Sequence, residues 1–265
     1  MTATPELEVI AGLRVEFGDG ILRITIDRQE RMNAIDLATM DAMGDLLTGR
    51  AKDPSVRVVV IGGARAAFST GADLAAAADG PEADPRVVMD SANRVVRAIL
   101  TLPIPVIAEV NGAAAGVGAS IAFAADLAFA SPSAYFLLAF VNVGLMPDGG
   151  SSLLVPAAIG RARASEMALL GRKLGATDAA AAGLIARVLP EDELSSHVRA
   201  VAAKLSRGPR RAIELTKRAL TTTTLARIDE TLERETEGQI ELLAAPDFRE
   251  GVAAMLGGRA PEFGR

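Results

Sequence analysis

Apolar and polar positions alternate in LRVEFG and again in ILRITIDR, on either side of Asp19-Gly20. Alternation turns one face of each run to a core, and Gly-Asp-Gly permits a tight reversal. The pattern predicts a β-hairpin over residues 13–28. The period then becomes helical in DLATMDAMGDLLTGRAK, with Asp36 placed to cap the first turn. VRVVVIGG is a short continuous apolar run that predicts a buried strand ending in glycines. Residues 64–85, ARAAFSTGADLAAAADGPEADP, carry neither period and read as irregular, with 75–86 as a mobile loop suited to a lid. A helical period returns over 85–102 and stops at Pro103. PVIAEV predicts a strand, NGAAAGVG a turn leading into an Ala-rich helix, and DLAFAS and AYFLLAF two further strands. From about residue 150 the pattern is mostly helical, and 191–265 holds amphipathic helices without a strand. Alternating strands and helices predict a layered α/β core over 1–190. The helical region 191–265 either packs back on that core or docks on a neighbouring subunit.

Composition narrows the chemistry. Half of the 265 residues are hydrophobic but only 3% are aromatic, so Ala, Val, Leu and Gly fill the core. That length suits one large α/β domain. The net charge of −5 and the lack of a dense basic run argue against a nucleic-acid groove. The longest small-apolar run, Ala113–Ala125, is too short and glycine-rich to span a bilayer. The first residues, MTATPELEVIAG, do not read as a secretory signal, so the expected location is cytoplasmic. There is no cysteine, which excludes thiolate chemistry. The single histidine, His197, excludes a His-rich metal site, and no metal is expected. A Ser-His-Asp triad would rest on His197 alone, which sits in a helical pattern as a boundary residue.

Three glycine-containing segments remain: AFSTGADL (67–74), EVNGAAAGVGAS (109–120) and GLMPDGGSS (144–152). The first two each follow an apolar strand, where α/β sheets collect ligands. Backbone N–H groups leaving two such turns can converge on one carbonyl oxygen and form an oxyanion hole. Equally, Gly-Ala turns are often only turns. A dinucleotide site is rejected because GVGASI lacks the third glycine of the fingerprint. Asp148, the only acid between Asp126 and Glu166, is either the polar corner of a turn or a group that moves protons. Glu109, Asp126 and Asp73 read as turn, helix or cap partners. Arg65 faces a phosphate or solvent.

Taken together and in this order, RMNAID, AFSTGADL, PVIAEVNGAAAGVGASIAFAADLAFAS, VGLMPDGGSS and REGVAAMLGGRAPEF resemble the enoyl-CoA hydratase/isomerase (crotonase) superfamily over almost the whole chain. The resemblance implies a spiral α/β core of ββα repeats with a C-terminal helical trimerisation region. It implies a homotrimer or a dimer of trimers, and an acyl-CoA thioester as ligand. No cofactor beyond that coenzyme A moiety is implied. By resemblance, the N–H groups of Ala72 and Val117 hold the thioester oxygen. Met32, Ala34, Asp73, Leu74 and Ala75 are implied coenzyme A contacts. The two glutamates with which hydratases activate water fall at Ser120 and Phe140, and neither is an acid. Relatives with aspartate at the Pro-Asp-Gly position resemble dienoyl-CoA isomerases and the isomerase of ring-1,2-epoxyphenylacetyl-CoA. The implied activity is double-bond isomerisation with Asp148 as proton shuttle. Hydration with water held by Ser120 and Asp148, and acyl-CoA binding without catalysis, are the alternatives. Serine hydrolysis, as in Clp-type peptidases of like fold, would need Ser120 beside His197. Where relatives carry a Lys-Arg pair for the nucleotide phosphate, this chain has Gly258 and Arg259. Lys217, on the Arg-rich helix, is a further candidate phosphate contact.

Overall fold

The predicted hairpin is present in the computed structural model, which describes residues 6–79 and 83–264. Strands β1 (Glu6–Ile10), β2 (Leu13–Gly18) and β3 (Ile21–Ile26) form an antiparallel meander. Asp19 and Gly20 both take positive φ, 51° and 76°, as a two-residue turn between right-twisted strands requires. The strand β1 was not expected. It lies at the sheet edge with Leu7 and Val9 exposed, so its alternation encodes no buried face.

After β3 the chain passes through the helix α1 (Leu37–Thr48), whose N-cap Asp36 accepts from Thr39 N–H at 2.8 Å. It then winds repeatedly between two sheets. The pairs β4 (Val58–Gly63) and β5 (Ala67–Ser69), β6 (Val106–Val110) and β7 (Ala113–Ala115), and β8 (Leu127–Ala130) and β9 (Tyr135–Leu137) each place one strand in either sheet. Helices α2 (Leu74–Asp79), α3 (Pro85–Thr101), α4 (Val117–Ala124) and α5 (Ser151–Ile159) intervene. The helix α6 (Arg161–Leu170) leads to β10 (Leu174–Gly175), α7 (Ala176–Ala182) and β11 (Arg187–Val188). The larger sheet runs β1-β2-β3-β4-β6-β8-β11 and is parallel from β3 onward. The smaller runs β10-β9-β7-β5. This is a mixed α/β spiral of strand-strand-helix turns.

Two expectations are corrected. Residues 64–85 are not irregular: they hold β5 and α2. The loop expected over 75–86 is helical at 75–79 and enters α3 at Pro85, while 80–82 lie outside the described residues. The run AYFLLAF is strand only to Leu137. A 3-10 helix, Ala139–Val143, follows and buries Phe140.

The tail folds into α8 (Glu191–Ser206), α9 (Arg210–Leu225), α10 (Ile228–Leu243) and α11 (Pro246–Leu256). The helix α8 covers one face of the large sheet, packing Leu194, Val198 and Ala202 on Val58, Val60, Ile107 and Phe129. On the other face lies the main core, where α1 and α3 meet β3, β4 and β6. Helix α10 packs along α3. None of the helices among the described residues is long and apolar enough to cross a membrane.

Candidate active site

Two glycine turns meet at the carboxyl ends of β5 and β7. Gly71 has φ +98°, and a Cβ there would lie 2.9 Å from the Ala115 carbonyl oxygen and 3.5 Å from Gly116 Cα. Gly116 has φ +52° and faces Gly71 Cα in return. Only glycine lets the turns touch in this way. Their contact brings the following residues, Ala72 and Val117, side by side.

Both of those residues aim an N–H outward. Ile35 bridges to Ala72 in parallel: Ile35 N–H donates to Gly71 O at 2.7 Å, and Asp73 N–H donates to Ile35 O at 3.0 Å. A strand alternates its bonding sides, so the Ala72 N–H points away from Ile35. Val117 is the first residue of α4, where no preceding turn supplies an acceptor and the helix dipole is positive. The two donors suit an oxygen that gains negative charge.

Asn33, at φ +58°, ties the RMNAID loop to this corner by donating to Ala64 O at 2.9 Å and Ala67 O at 2.7 Å. Arg28 completes the tie through Asp36 at 2.8 Å and Asp73 at 3.0 Å. Asp73 also caps α2 by accepting from Ala76 N–H at 3.0 Å.

A cavity of about 580 Å³ opens over the two donors. Ala34, Ala72, Asp73, Leu74, Ala75, Val117 and Asp148 all line it. Met32 does not: it is 57% exposed and lies outside. Phe140, Val143 and Leu145 supply an apolar wall, and Arg31 and Arg259 sit at the rim. Arg31 was not anticipated. Arg259 is paired with Glu250 at 2.6 Å.

Asp148 is buried, and burial pushes its carboxyl up to about 7 from the ordinary 3.8. The amide of Gln239 opposes this by donating to Oδ2 at 2.7 Å, and the charge of Glu235 adds to it. The other oxygen, Oδ1, is buried without a partner among the described residues. The turn that carries Asp148 is held by its main chain: its carbonyl accepts from the hydroxyls of Ser120 at 2.9 Å and Ser151 at 2.7 Å. Gly149 and Gly150 follow with positive φ. Glu235 lies behind them and accepts from Gly150 N–H at 2.7 Å, Ser152 N–H at 3.1 Å and the Ser152 hydroxyl at 2.5 Å.

Sequence reasoning missed Glu235 and Gln239. A signal existed: Thr231, Glu235 and Gln239 recur every four residues within the buried stripe of α10.

Other candidates lie elsewhere. Ser120 is fully buried, does not line the cavity, and gives its hydroxyl to the Asp148 carbonyl. His197 packs edge-on against Phe129 on the α8 face, ring centroids 4.9 Å apart, which removes it as a partner for Ser120. Lys217 is not a phosphate contact. Its ammonium is buried against Asp126 at 2.7 Å and donates to the carbonyls of Ile99 and Ile104. Arg65 is exposed away from the cavity, and Glu109 pairs with Arg23 at 2.6 Å. Among the described residues no group of three or more potential ligand side chains could hold a metal ion.

The family model described as enoyl-CoA hydratase/isomerase matches residues 16–265. A Rhodobacter capsulatus protein named "Probable enoyl-CoA hydratase" is 41% identical over 252 residues, covering 95% of this chain and 97% of the relative. The 1,2-epoxyphenylacetyl-CoA isomerase of Escherichia coli K12 is 34% identical over 248 residues, covering 92% and 95%. The crystal structure of an enoyl-CoA hydratase from Mycobacterium avium subsp. paratuberculosis superposes with a TM-score of 0.90 at 44% identity, covering 97% of this chain and all of that one. With nearly its full length matched in sequence and in backbone, the chain belongs to the enoyl-CoA hydratase/isomerase family.

Proposed function

We propose that this chain moves a carbon-carbon double bond within an acyl-CoA thioester, with Asp148 as the only proton carrier. The observation that carries this reading is the buried, partnerless Oδ1 of Asp148, a residue that lines the same cavity as the two outward N–H donors. The thioester oxygen sits between the N–H groups of Ala72 and Val117. In a 3-enoyl chain, Asp148 takes a proton from C2, and the electrons spread from C4 to the thioester oxygen. The same carboxyl returns the proton to C4, leaving the double bond between C2 and C3. A pKa near 7 suits a group that must both accept and release a proton.

Water addition, which the name of the Rhodobacter relative favours, is the second reading. It requires a water held against C3 by polar side chains. Phe140 supplies none, and the Ser120 hydroxyl is committed to a main-chain carbonyl. Ala34, Leu74 and Ala75 border the bound thioester, and Arg31 and Arg259 lie where a phosphate chain leaves the cavity. The leucines at 169, 170, 215 and 220 are exposed and support assembly as a trimer or a dimer of trimers, which analytical ultracentrifugation tests.

Trans-3-enoyl-CoA and trans-2-enoyl-CoA are each mixed with the protein and followed by absorbance and mass. The expected result is bond migration at constant mass, lost in Asp148→Asn. Rapid gain of one water by the 2-enoyl compound sinks the isomerase reading. Tight coenzyme A binding with neither reaction leaves a binding protein.

A further inference from the structure

The carboxyl of Asp148 is gripped from behind by α10. Gln239 Nε2 donates both to Asp148 Oδ2 at 2.7 Å and to the Met146 carbonyl at 3.0 Å, and the second bond fixes which way the amide faces. One turn earlier, Glu235 holds Gly150 and Ser152. Between the two, a Cβ on Gly238 would come within 2.2 Å of Met146 Sδ, so the helix backbone lies directly against the segment bearing Asp148. The helix itself is pinned to α3, where Asn93 Nδ2 donates to Thr236 Oγ1 at 2.9 Å. Glu235 and Gln239 are each 1% exposed, and neither lines the cavity. They touch the proton carrier and its turn, not the substrate.

We propose that Gln239 and Glu235 are positioning residues for proton transfer by Asp148: Gln239 pins Oδ2 and leaves Oδ1 to the substrate, and Glu235 locks the turn and sets a negative charge behind it. The assignment rests on Asp148 being the proton carrier. The two N–H groups meet separate carboxylate oxygens, Oε2 and Oε1, and a neutral amide would turn a donor against one of them. A carboxylate there also disfavours ionisation of Asp148, while the Gln239 donor favours it. The two residues therefore act on Asp148 in opposite directions. The remaining charged groups around the site are Asp73, paired with Arg28, together with Arg31 and the Arg259-Glu250 pair at the rim, and Arg234 beside Glu235.

The test is a carbon-13 titration of the aspartate carboxyls in the full chain, with Asp148 assigned by the signal that Asp148→Asn removes. Gln239→Met keeps the volume and deletes the donor; it moves the Asp148 titration up by about one pH unit. Glu235→Gln deletes the charge, gives up one of the two main-chain N–H bonds, and moves the titration down. In steady-state assays at pH 7, Gln239→Met lowers kcat roughly fivefold with KM unchanged, and raising the pH restores much of the loss. Should Gln239→Met fail to fold by circular dichroism, Gln239→Leu and Glu235→Gln decide the matter. Titrations that stay in place, or move the same way in both variants, overturn the inference while Asp148→Asn is inactive. An active Asp148→Asn overturns the parent reading and this one with it.

Discussion

Replacing Asp148 with asparagine separates the two roles an aspartate can hold in a Pro-Asp-Gly-Gly turn. The turn itself survives, because Ser120 and Ser151 bond to the main-chain carbonyl and not to the carboxyl. The new amide oxygen can accept from Gln239, which leaves its NH2 toward the cavity. What disappears is the ionisable group. In the folded chain that group titrates at about 7, against an ordinary 3.8. Between those two pH values the folded chain keeps a proton that the unfolded chain has lost. The contribution of Asp148 to stability is therefore highest below about 4, falls as pH rises, and levels off above about 7. The whole interval, 7 − 3.8 = 3.2 units, corresponds to roughly 4 kcal/mol, of which roughly 3 kcal/mol lies between pH 5 and pH 8.

Urea unfolding of both proteins at pH 5 and pH 8 measures this directly. The other titrating groups are shared, so the difference between the proteins reports Asp148 together with its coupling to Glu235. Asparagine is expected to gain roughly 3 kcal/mol on the wild type from pH 5 to pH 8, while activity drops about 10²- to 10⁴-fold. A proton carrier in an apolar site costs stability in this way. A stability difference that stays constant with pH would refute the reasoning, since the carboxyl would then be ionised as an ordinary turn aspartate. Retained activity would refute its catalytic half.

Three further perturbations test other parts of the structure. Lys217→Met strands Asp126 in the interior beneath α9 and is expected to cost about 3–5 kcal/mol in urea unfolding. Burial already raises the Asp126 carboxyl, so the loss should shrink in acid, where Asp126 takes a proton. Phe140→Ala removes the apolar wall at about 3–5 kcal/mol of stability and should lower KM for bulkier acyl chains across a substrate series. Gly71→Ala forces a side chain into φ +98° and against the Ala115 carbonyl, shifting the Ala72 N–H. It should lower kcat by about 10²-fold or more while calorimetry still detects coenzyme A binding.

The repeating pattern was legible in the sequence wherever one face of an element is buried. Helices α1 and α3, the first hairpin and the glycine turns all fell where period and breaker residues put them. Legibility failed where burial does not alternate. The strands β5 and β7 are three residues each and almost wholly buried, so FSTG and GAAAG offer no period. The edge strand β1 buries too little to show one. Phe140 has the apolar look of a strand residue, but Gly144, with φ +73°, accommodates the tight 3-10 turn that ends there. Lys217 looked like a surface cation because nothing local marks Asp126, 91 residues earlier, as its partner. Met32 belongs to the right motif but takes φ +50°, the turn that swings it out to solvent. Asp148 was legible because a single acid in a long apolar stretch is conspicuous. Its surroundings were not.

Those surroundings come from the tail. A helix read by hydrophobic period alone yields a stripe of Ile228 and Leu232 and a polar remainder. In α10 the buried stripe continues through Thr231, Glu235, Thr236 and Gln239, each no more than 4% exposed. Burying four polar side chains is costly unless each finds partners. Thr231 bonds the Arg227 carbonyl one turn back; the other three find partners at Asn93, Gly150, Ser152, Met146 and the Asp148 carboxyl, which lie 83 to 143 residues away in sequence. A helix that only closed off the core would gain more from leucine at these places. The polar choices make sense as a mould for the carboxyl opposite. Polar residues that recur every four positions inside a predicted buried stripe are thus a signal in their own right. They mark where one element exists to hold the chemistry of another.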